Sequence, residues 1–247
     1  MLAVQARTKP EVHEAVLRTL PSLPEGSRVL DAPCGEGALL LSLKERGLAH
    51  YGIDLDTEHR QAFLDNGVNH LYWDLNKIPF PYEDGFFDAV TCVEGIEHLE
   101  NPFALVRELG RLLKDGGRLV LTTPNITSLR SRVRFMGSGF YHMFNLPLNE
   151  TKRNPSHHIM PLTLANLRYI LYHSGFHIEK VSCSYVKPIS LLYLVFWPWV
   201  ALYTLLAFRR EKDAPQRRRN WQILGWLLSW PVVLGEHLVI RAVKRES

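Results

Sequence analysis

The stretch "VLDAPCGEGALL", residues 29–40, decides how the rest of the chain is read. Two apolar residues, Val29 and Leu30, run into an acid, Asp31. A turn with glycines at 35 and 37 follows, and then an apolar run of helical composition. A strand that ends in a carboxylate and passes through glycines into a helix can bring backbone N–H groups close to a ligand at the helix N-terminus. The plain alternative is a tight strand-to-helix connection. A dinucleotide fingerprint would need glycines at 33, 35 and 38, where the chain has Pro33, Gly35 and Ala38, and the lysine of a nucleoside-triphosphate loop is missing.

Outward from this turn the pattern repeats. Apolar positions Val12, Val16, Leu17 and Leu20 mark a helix over 9–20 that ends at "PSLPEG". Strands are expected at 28–32, 50–54, 69–73, 86–93 and 116–123. Helices at 37–46, 57–66 and 102–113 lie between them, the first two stopped by Gly47 and Gly67. Such alternation predicts an α/β fold with a mostly parallel sheet covered on both faces, and a ligand at the carboxyl ends of the strands. Asp54 ends the second strand, where a carboxylate can grip two ribose hydroxyls, and Asp74 follows the third, within reach of an adenine amino group. Residues 125–161 read as irregular, before a helix at 163–174 and a strand at 176–186. The strand-like "HLVIRAVK" occupies 237–244.

Composition narrows the function. With 247 residues, 46% hydrophobic and 22% charged, the chain fits one large domain or one domain with an appendage. The net charge of +4 is uneven: residues 209–247 hold nine Lys/Arg against four Asp/Glu, so the basicity belongs to the apolar C-terminal part. That distribution points to an anionic membrane surface and away from nucleic acid. Cys34, Cys92 and Cys183 show no CxxC or metal-ligand spacing, which suits reduced thiols in the cytosol. The first twenty residues carry no apolar core of signal-peptide length, so the main domain is expected on the cytoplasmic side.

The motifs together resemble the class I S-adenosylmethionine-dependent methyltransferases. The branch they match best contains the ubiquinone and menaquinone O-methyltransferases and many sugar or natural-product O-methyltransferases. The resemblance is carried by "LDAPCGEG" (30–37), "GIDLD" (52–56), "DLNKIPFPYEDGFFDAVTCVEGIEHLENP" (74–102) and "LKDGGRLVLTTPN" (113–125). It covers 27–125 in motif detail and extends to 186 in outline. It implies a Rossmann-like, doubly wound sheet of seven strands with an antiparallel last strand, and S-adenosyl-L-methionine as cofactor. Asp31, Gly35 and Gly37 would meet the methionine part, Asp54 the ribose, Asp74 the adenine, and Glu94 would lie near the methionyl end. Pro33 departs from the family's first glycine. It lacks an N–H and fixes φ near −65°, so the turn must be shaped by Gly35 and Gly37.

Methyl transfer asks a protein for alignment and, with an oxygen acceptor, for a base. His98, in "EGIEHLE", is one candidate, with a helix-capping loop histidine as its alternative. His158, after His157 in "NPSHHIMPLTLANLRYIL", is the second, with loop positioning as its alternative. No histidine shows convincing metal spacing with a carboxylate, and no metal is expected. Between 125 and 161, Arg130, Arg132 and Arg134 stand beside Phe135, Phe140, Tyr141 and Phe144. They read either as a lid for an acceptor with an apolar body and an anionic group, or as a surface helix with a solvated basic face.

The remaining segment is unusual. Residues 189–208 run for twenty residues without a charge, and a second apolar arm covers 221–235, the two joined by "RREKDAPQRRRN". If 237–244 closes the sheet, the domain is 1–186 plus 237–247, and 187–236 is a hydrophobic hairpin whose two ends return to one side of any membrane. The second arm is short for a span, Pro198 and Pro231 interrupt both arms, and six basic residues would have to cross. A hairpin dipping into the cytoplasmic leaflet is expected, with Trp197, Trp199, Trp221, Trp226 and Trp230 at headgroup depth. The functional expectation is methylation of an oxygen on a lipid-like or lipid-linked acceptor at the membrane. The alternatives are a methyltransferase of a soluble sugar nucleotide or polysaccharide, and a non-catalytic cofactor-binding scaffold.

Overall fold

A computed structural model describes residues 7–55, 63, 65, 67–144, 147–152 and 154–246. Helix α1 (Pro10–Thr19) precedes β1 (Arg28–Asp31), α2 (Ala38–Glu45), β2 (Ala49–Asp54) and β3 (Asn69–Tyr72). Then come β4 (Phe87–Val93), a 3-10 turn (Ile96–His98), α3 (Pro102–Leu112) and β5 (Leu113–Pro124). The helix expected over 57–66 falls almost wholly outside the described residues. The chain continues through α4 (Leu129–Ser138), α5 (Leu164–His173) and β6 (Phe176–Cys183), and ends in β7 (His237–Lys244). The sheet order is β3-β2-β1-β4-β5-β7-β6; the first five strands are mutually parallel, and β7 runs antiparallel to both β5 and β6. The predicted doubly wound sheet with a reversed last strand is what forms.

Strand periodicity explains the two-sided core, because successive side chains point to opposite faces. Leu30, Val90, Leu119 and Ile240 face α3 and α5, while Val29, Ala89, Val120 and Val239 face α1 and α2. The strand order reverses between β1 and β4, and the crevice outside their carboxyl ends is where an open α/β sheet receives a ligand.

Two expectations need correction, and the hairpin adds a detail. Residues 125–161 are not irregular throughout, for α4 occupies 129–138. Ser128 Oγ caps it by accepting from Ser131 N at 3.3 Å, and Gly139 ends it in the left-handed conformation, φ 73°. The polar connection of the hairpin is partly helical. A 3-10 segment (Pro188–Phe196) leads into α6 (Trp197–Phe208), and α7 (Ala214–Leu227) begins inside the connection, capped by Asp213. Pro215 and Pro231 lie in the first turns of α7 and α8 (Trp230–Leu234), where a missing N–H costs nothing, so Pro231 starts a helix and does not interrupt one, while Pro198 stands where the 3-10 segment changes to α6.

The two arms also differ. Of 188–208, only Ser190 and Ala201 are buried. The second arm is bound to the domain: Ile223 and Leu224 are buried, and Trp226 and Leu227 pack on the main core. Arg168 donates to Arg219 O at 3.1 Å, and the Arg219 guanidinium stacks 4.4 Å from the Tyr172 ring centroid on α5. Of the five tryptophans, Trp199, Trp221 and Trp230 are exposed, while Trp226 lies against the core and Trp197 against a small cluster of Leu129, Val233 and Leu234.

Candidate active site

At the carboxyl ends of β1, β2 and β4 opens a crevice of about 990 Å³. Asp31, Gly35, Asp54, Asp74, Glu94, His98 and His158 all line it, and the N-terminal Arg7, Thr8 and His13 close one side. Seven of the eight expected site residues therefore share one cavity. The eighth, Gly37, stands behind the wall as N-cap of α2 with φ 84°, and a Cβ there would come within 2.6 Å of the Phe63 ring. Pro33, joined to Ala32 by a cis peptide, packs against Gly95, where a Cβ would meet its ring at 2.2 Å. Proline and glycine thus fit each other between the β1 and β4 turns.

The acids fall into distinct environments. Asp31 is 2% exposed and accepts from Thr91 Oγ1 at 2.7 Å. Burial pushes its carboxyl up to about 8, against the Thr91 bond and with help from nearby Asp54. Asp54 accepts the Gly35 N–H at 2.7 Å, which ties the glycine turn to the end of β2. Asp74 Oδ1 accepts from Asn76 N and Nδ2 at 3.0 and 3.2 Å, so its side chain is fixed in an Asx turn at the crevice edge. Glu94 takes a left-handed backbone, φ 46°, rare for a residue with a Cβ, and its N–H donates to Thr122 Oγ1 at 3.0 Å. Burial raises its carboxyl, but the nearby His237 and Thr8 outweigh that and hold it below the usual range. His237 Nε2 lies 2.8 Å from Glu94 Oε1 in a close electrostatic contact, and its Nδ1 is 2.9 Å from Ser184 Oγ.

The two candidate bases are brought together. The His98 and His158 rings meet edge to face with centroids 4.8 Å apart. His98 Nδ1 lies 2.9 Å from His157 O, and His158 Nδ1 lies 2.8 Å from Met143 O. A carbonyl can only accept, so each Nδ1 carries a hydrogen, and Nε2 is the atom of each ring left to meet an acceptor substrate. Burial, and then the neighbouring His98, lowers the His158 pKa, which keeps its ring neutral.

Glu97 was not singled out from sequence. It is fully buried; Oε2 accepts from Thr123 Oγ1 at 3.1 Å, and Oε1 has no hydrogen-bond partner among the described residues. Burial pushes its carboxyl up to about 8. Glu97, His98 and His158 offer ligand atoms within 4.8 Å of one another, so two imidazoles and a carboxylate could hold a divalent ion where the spacing in sequence suggested none. The signal was present in "EGIEHLE", where Glu97 precedes His98. The third ligand lies sixty residues away and could not be paired with them from sequence.

These residues fit S-adenosylmethionine: a buried acid beside the glycine turn, a carboxylate at the end of β2, and an open wall at Gly35, where an added Cβ would meet nothing nearer than Arg7 at 3.7 Å. Comparison with known proteins agrees. The model of the methyltransferase domain family matches residues 4–181. The ubiquinone biosynthesis O-methyltransferase of Xanthomonas axonopodis pv. citri is 34% identical over 170 residues, covering 67% of this chain and 69% of that protein. Its counterpart from Xanthomonas oryzae pv. oryzae is 38% identical over 168 residues, 66% and 68% of the two chains. Among solved structures, an S-adenosylmethionine-dependent methyltransferase from Archaeoglobus fulgidus superposes with TM-score 0.60 at 21% identity, covering 94% and 93%. Phosphoethanolamine N-methyltransferase 2 of Haemonchus contortus, solved with S-adenosyl-L-methionine, gives 0.57 at 19% identity, covering 95% of this chain and 52% of that one. The chain belongs to the class I S-adenosylmethionine-dependent methyltransferases.

Proposed function

We propose that the chain methylates a hydroxyl oxygen on a ring-bearing, apolar acceptor held at a membrane surface, in the manner of a quinol. The observation that carries the reading is the histidine pair: two imidazoles, each tied to a backbone carbonyl through Nδ1 and left with Nε2 for an acceptor, in the crevice that also holds Asp31, Asp54 and Glu94. An oxygen nucleophile needs such a base. The cofactor supplies an electrophilic methyl group. His98 or His158 would take the hydroxyl proton on Nε2 and so ready the acceptor oxygen for that methyl group. Glu94 and Asp31 orient the cofactor end of the crevice. The names of the curated relatives support oxygen as the acceptor atom. The apolar 188–208 segment, of mean hydropathy 1.9, supports a membrane-held substrate. The fixing of α7 to α5 through Arg219 supports a cytoplasmic, leaflet-dipping arrangement, because the basic turn stays beside the domain.

The test is transfer of labelled methyl from S-adenosylmethionine to a prenylated catechol in detergent, to its short-chain analogue, and to a sugar nucleotide. Label in the catechols and none in the sugar nucleotide is expected, and the reverse would overturn the reading. His98→Asn should lower kcat by roughly 10²–10⁴ with cofactor affinity unchanged. Wild-type turnover in that variant would move the base to His158.

A further inference from the structure

Helix α4 and the exposed apolar arm are one surface. Helix α4 packs along the 3-10 segment and α8, where Leu129, Val233 and Leu234 are buried with Tyr193, Leu194, Trp197 and Val200 against them. Beyond this seam both elements present large apolar side chains to the outside. Met136 is 77% exposed on α4, and Leu192, Val195 and Trp199 are 70%, 73% and 74% exposed on the arm. Contiguous apolar surface of this kind is rare on soluble monomers and marks a binding face.

A single carboxylate fastens the two elements. Glu236, whose side chain is 3% exposed, lies 2.9 Å from Arg130 Nη1 on α4, 3.0 Å from His142 Nε2 on the loop after α4, and 2.7 Å from Lys187 Nζ at the entry of the arm. Two cations, Arg130 and Lys187, and the His142 imidazole surround one buried acid, and removing it would leave the two cations uncompensated. The same loop reaches the crevice, since Met143 lines it and its carbonyl oxygen accepts from His158 Nδ1.

We propose that α4 and residues 188–208 form one docking face for an anionic phospholipid leaflet, clamped by Glu236, so that the loop leading from α4 to the crevice is itself anchored at the lipid. The choice of occupant rests on charge. No acid interrupts 187–210, and Arg134 on α4 with Arg209, Arg210, Lys212 and Arg217 after the arm outnumber Glu211 and Asp213, a net positive charge suited to lipid phosphates. Bulky aromatic and aliphatic side chains inside such a border sit at the depth of the headgroup and acyl boundary. The proposal deepens the membrane reading above and rests on it.

The experiment places an environment-sensitive fluorophore on Met136→Cys, on Leu192→Cys, and on Tyr72→Cys as a control at the opposite sheet edge. A Cys183→Ser background serves all three, Cys34 and Cys92 being buried. With vesicles of phosphatidylcholine and phosphatidylglycerol, probes at 136 and 192 should both shift to the blue, and 72 should not. Adding Glu236→Gln should abolish the shift at 136 and leave that at 192. If that variant does not fold, Lys187→Gln breaks the same clamp from the arm side. A response at 192 alone in the unmodified background would overturn the composite face. A shift at both positions without vesicles, with doubled mass in light scattering, would identify a second copy as the occupant and overturn it too. Silence at both, with no co-sedimentation, would sink the membrane reading, while methyl transfer to the short-chain catechol would still stand or fall by itself.

Discussion

Asp31 shows how far a fold can move the charge of one residue. At the end of β1, 2% exposed and bonded to Thr91, its carboxyl is pushed up to about 8, so at neutral pH the proton stays on. A carboxyl whose folded pKa lies above its unfolded value binds more protons in the folded state between the two, so its contribution to stability falls as pH rises through that window, here from about 4 to about 8. A cation brought beside Asp31, such as the ammonium or sulfonium of the cofactor, favours the ionised form. Binding at pH 7 is therefore expected to release about one proton, read by calorimetry in buffers of different ionisation enthalpy. Asp31→Asn should abolish the release, weaken cofactor binding, and flatten the loss of thermal stability over the same window. Equal proton release in the variant would place the titration elsewhere. Asp31, Asp54 and Glu94 were legible in sequence because each stands at the end of a strand in a local motif. Glu97, Glu236 and His237 were not, because their weight comes from burial and from partners distant in the chain.

Elements were legible where cap, periodicity and stop signal agree. Helix α5 is framed by Thr163 and Asn166 in a reciprocal capping box, and β7 coincides with the alternating stretch 237–244. Helix α4 was legible only as one of two readings, because its basic and aromatic residues show no clear apolar stripe, although Ser128 and Gly139 mark both ends. The glycine turn before α2 carries a sharper consequence. Gly37 needs its positive φ and also has the Phe63 ring where a Cβ would be, while Gly26, φ 75°, has nothing within 4 Å. Gly26→Ala should cost only the left-handed penalty, about 1–2 kcal/mol. Gly37→Ala should cost more than that, because the aromatic ring must also move, and it should weaken cofactor binding as the turn shifts. Denaturant melts of the two variants make the comparison. Equal losses would mean that Phe63 yields freely and the close approach has no structural role.

At the scale of the whole molecule, the hydrophobic hairpin expected from sequence divides into two parts of different character. Asn125, at the end of β5, donates to Val232 O and Gly235 O at 2.9 Å each, and its N–H donates to Glu236 O at the same distance, so α8 and the return to β7 are built into the domain. Val232 belongs to the same cluster as Leu238 and Ile240, and the buried Leu224 lies on the arm that covers α5. Apolar composition alone could not separate these residues from Leu192, Val195, Trp199 and Tyr203, because hydropathy records what a side chain avoids and not which neighbour covers it. The separation can be measured. Changing Leu192, Val195, Trp199 and Tyr203 together to Gln or Ser should leave the melting temperature nearly unchanged, since exposed side chains contribute little to folding. The same variant should be more soluble and should lose vesicle binding. Leu224→Ala should lower stability by about 2–5 kcal/mol, the range for truncating a buried leucine. Vesicle binding by that variant, measured below its melting temperature, should persist. A large loss of stability in the exposed-arm variant would show that residues 188–208 are covered by protein in solution, and the lipid-facing role would then pass to a protein contact.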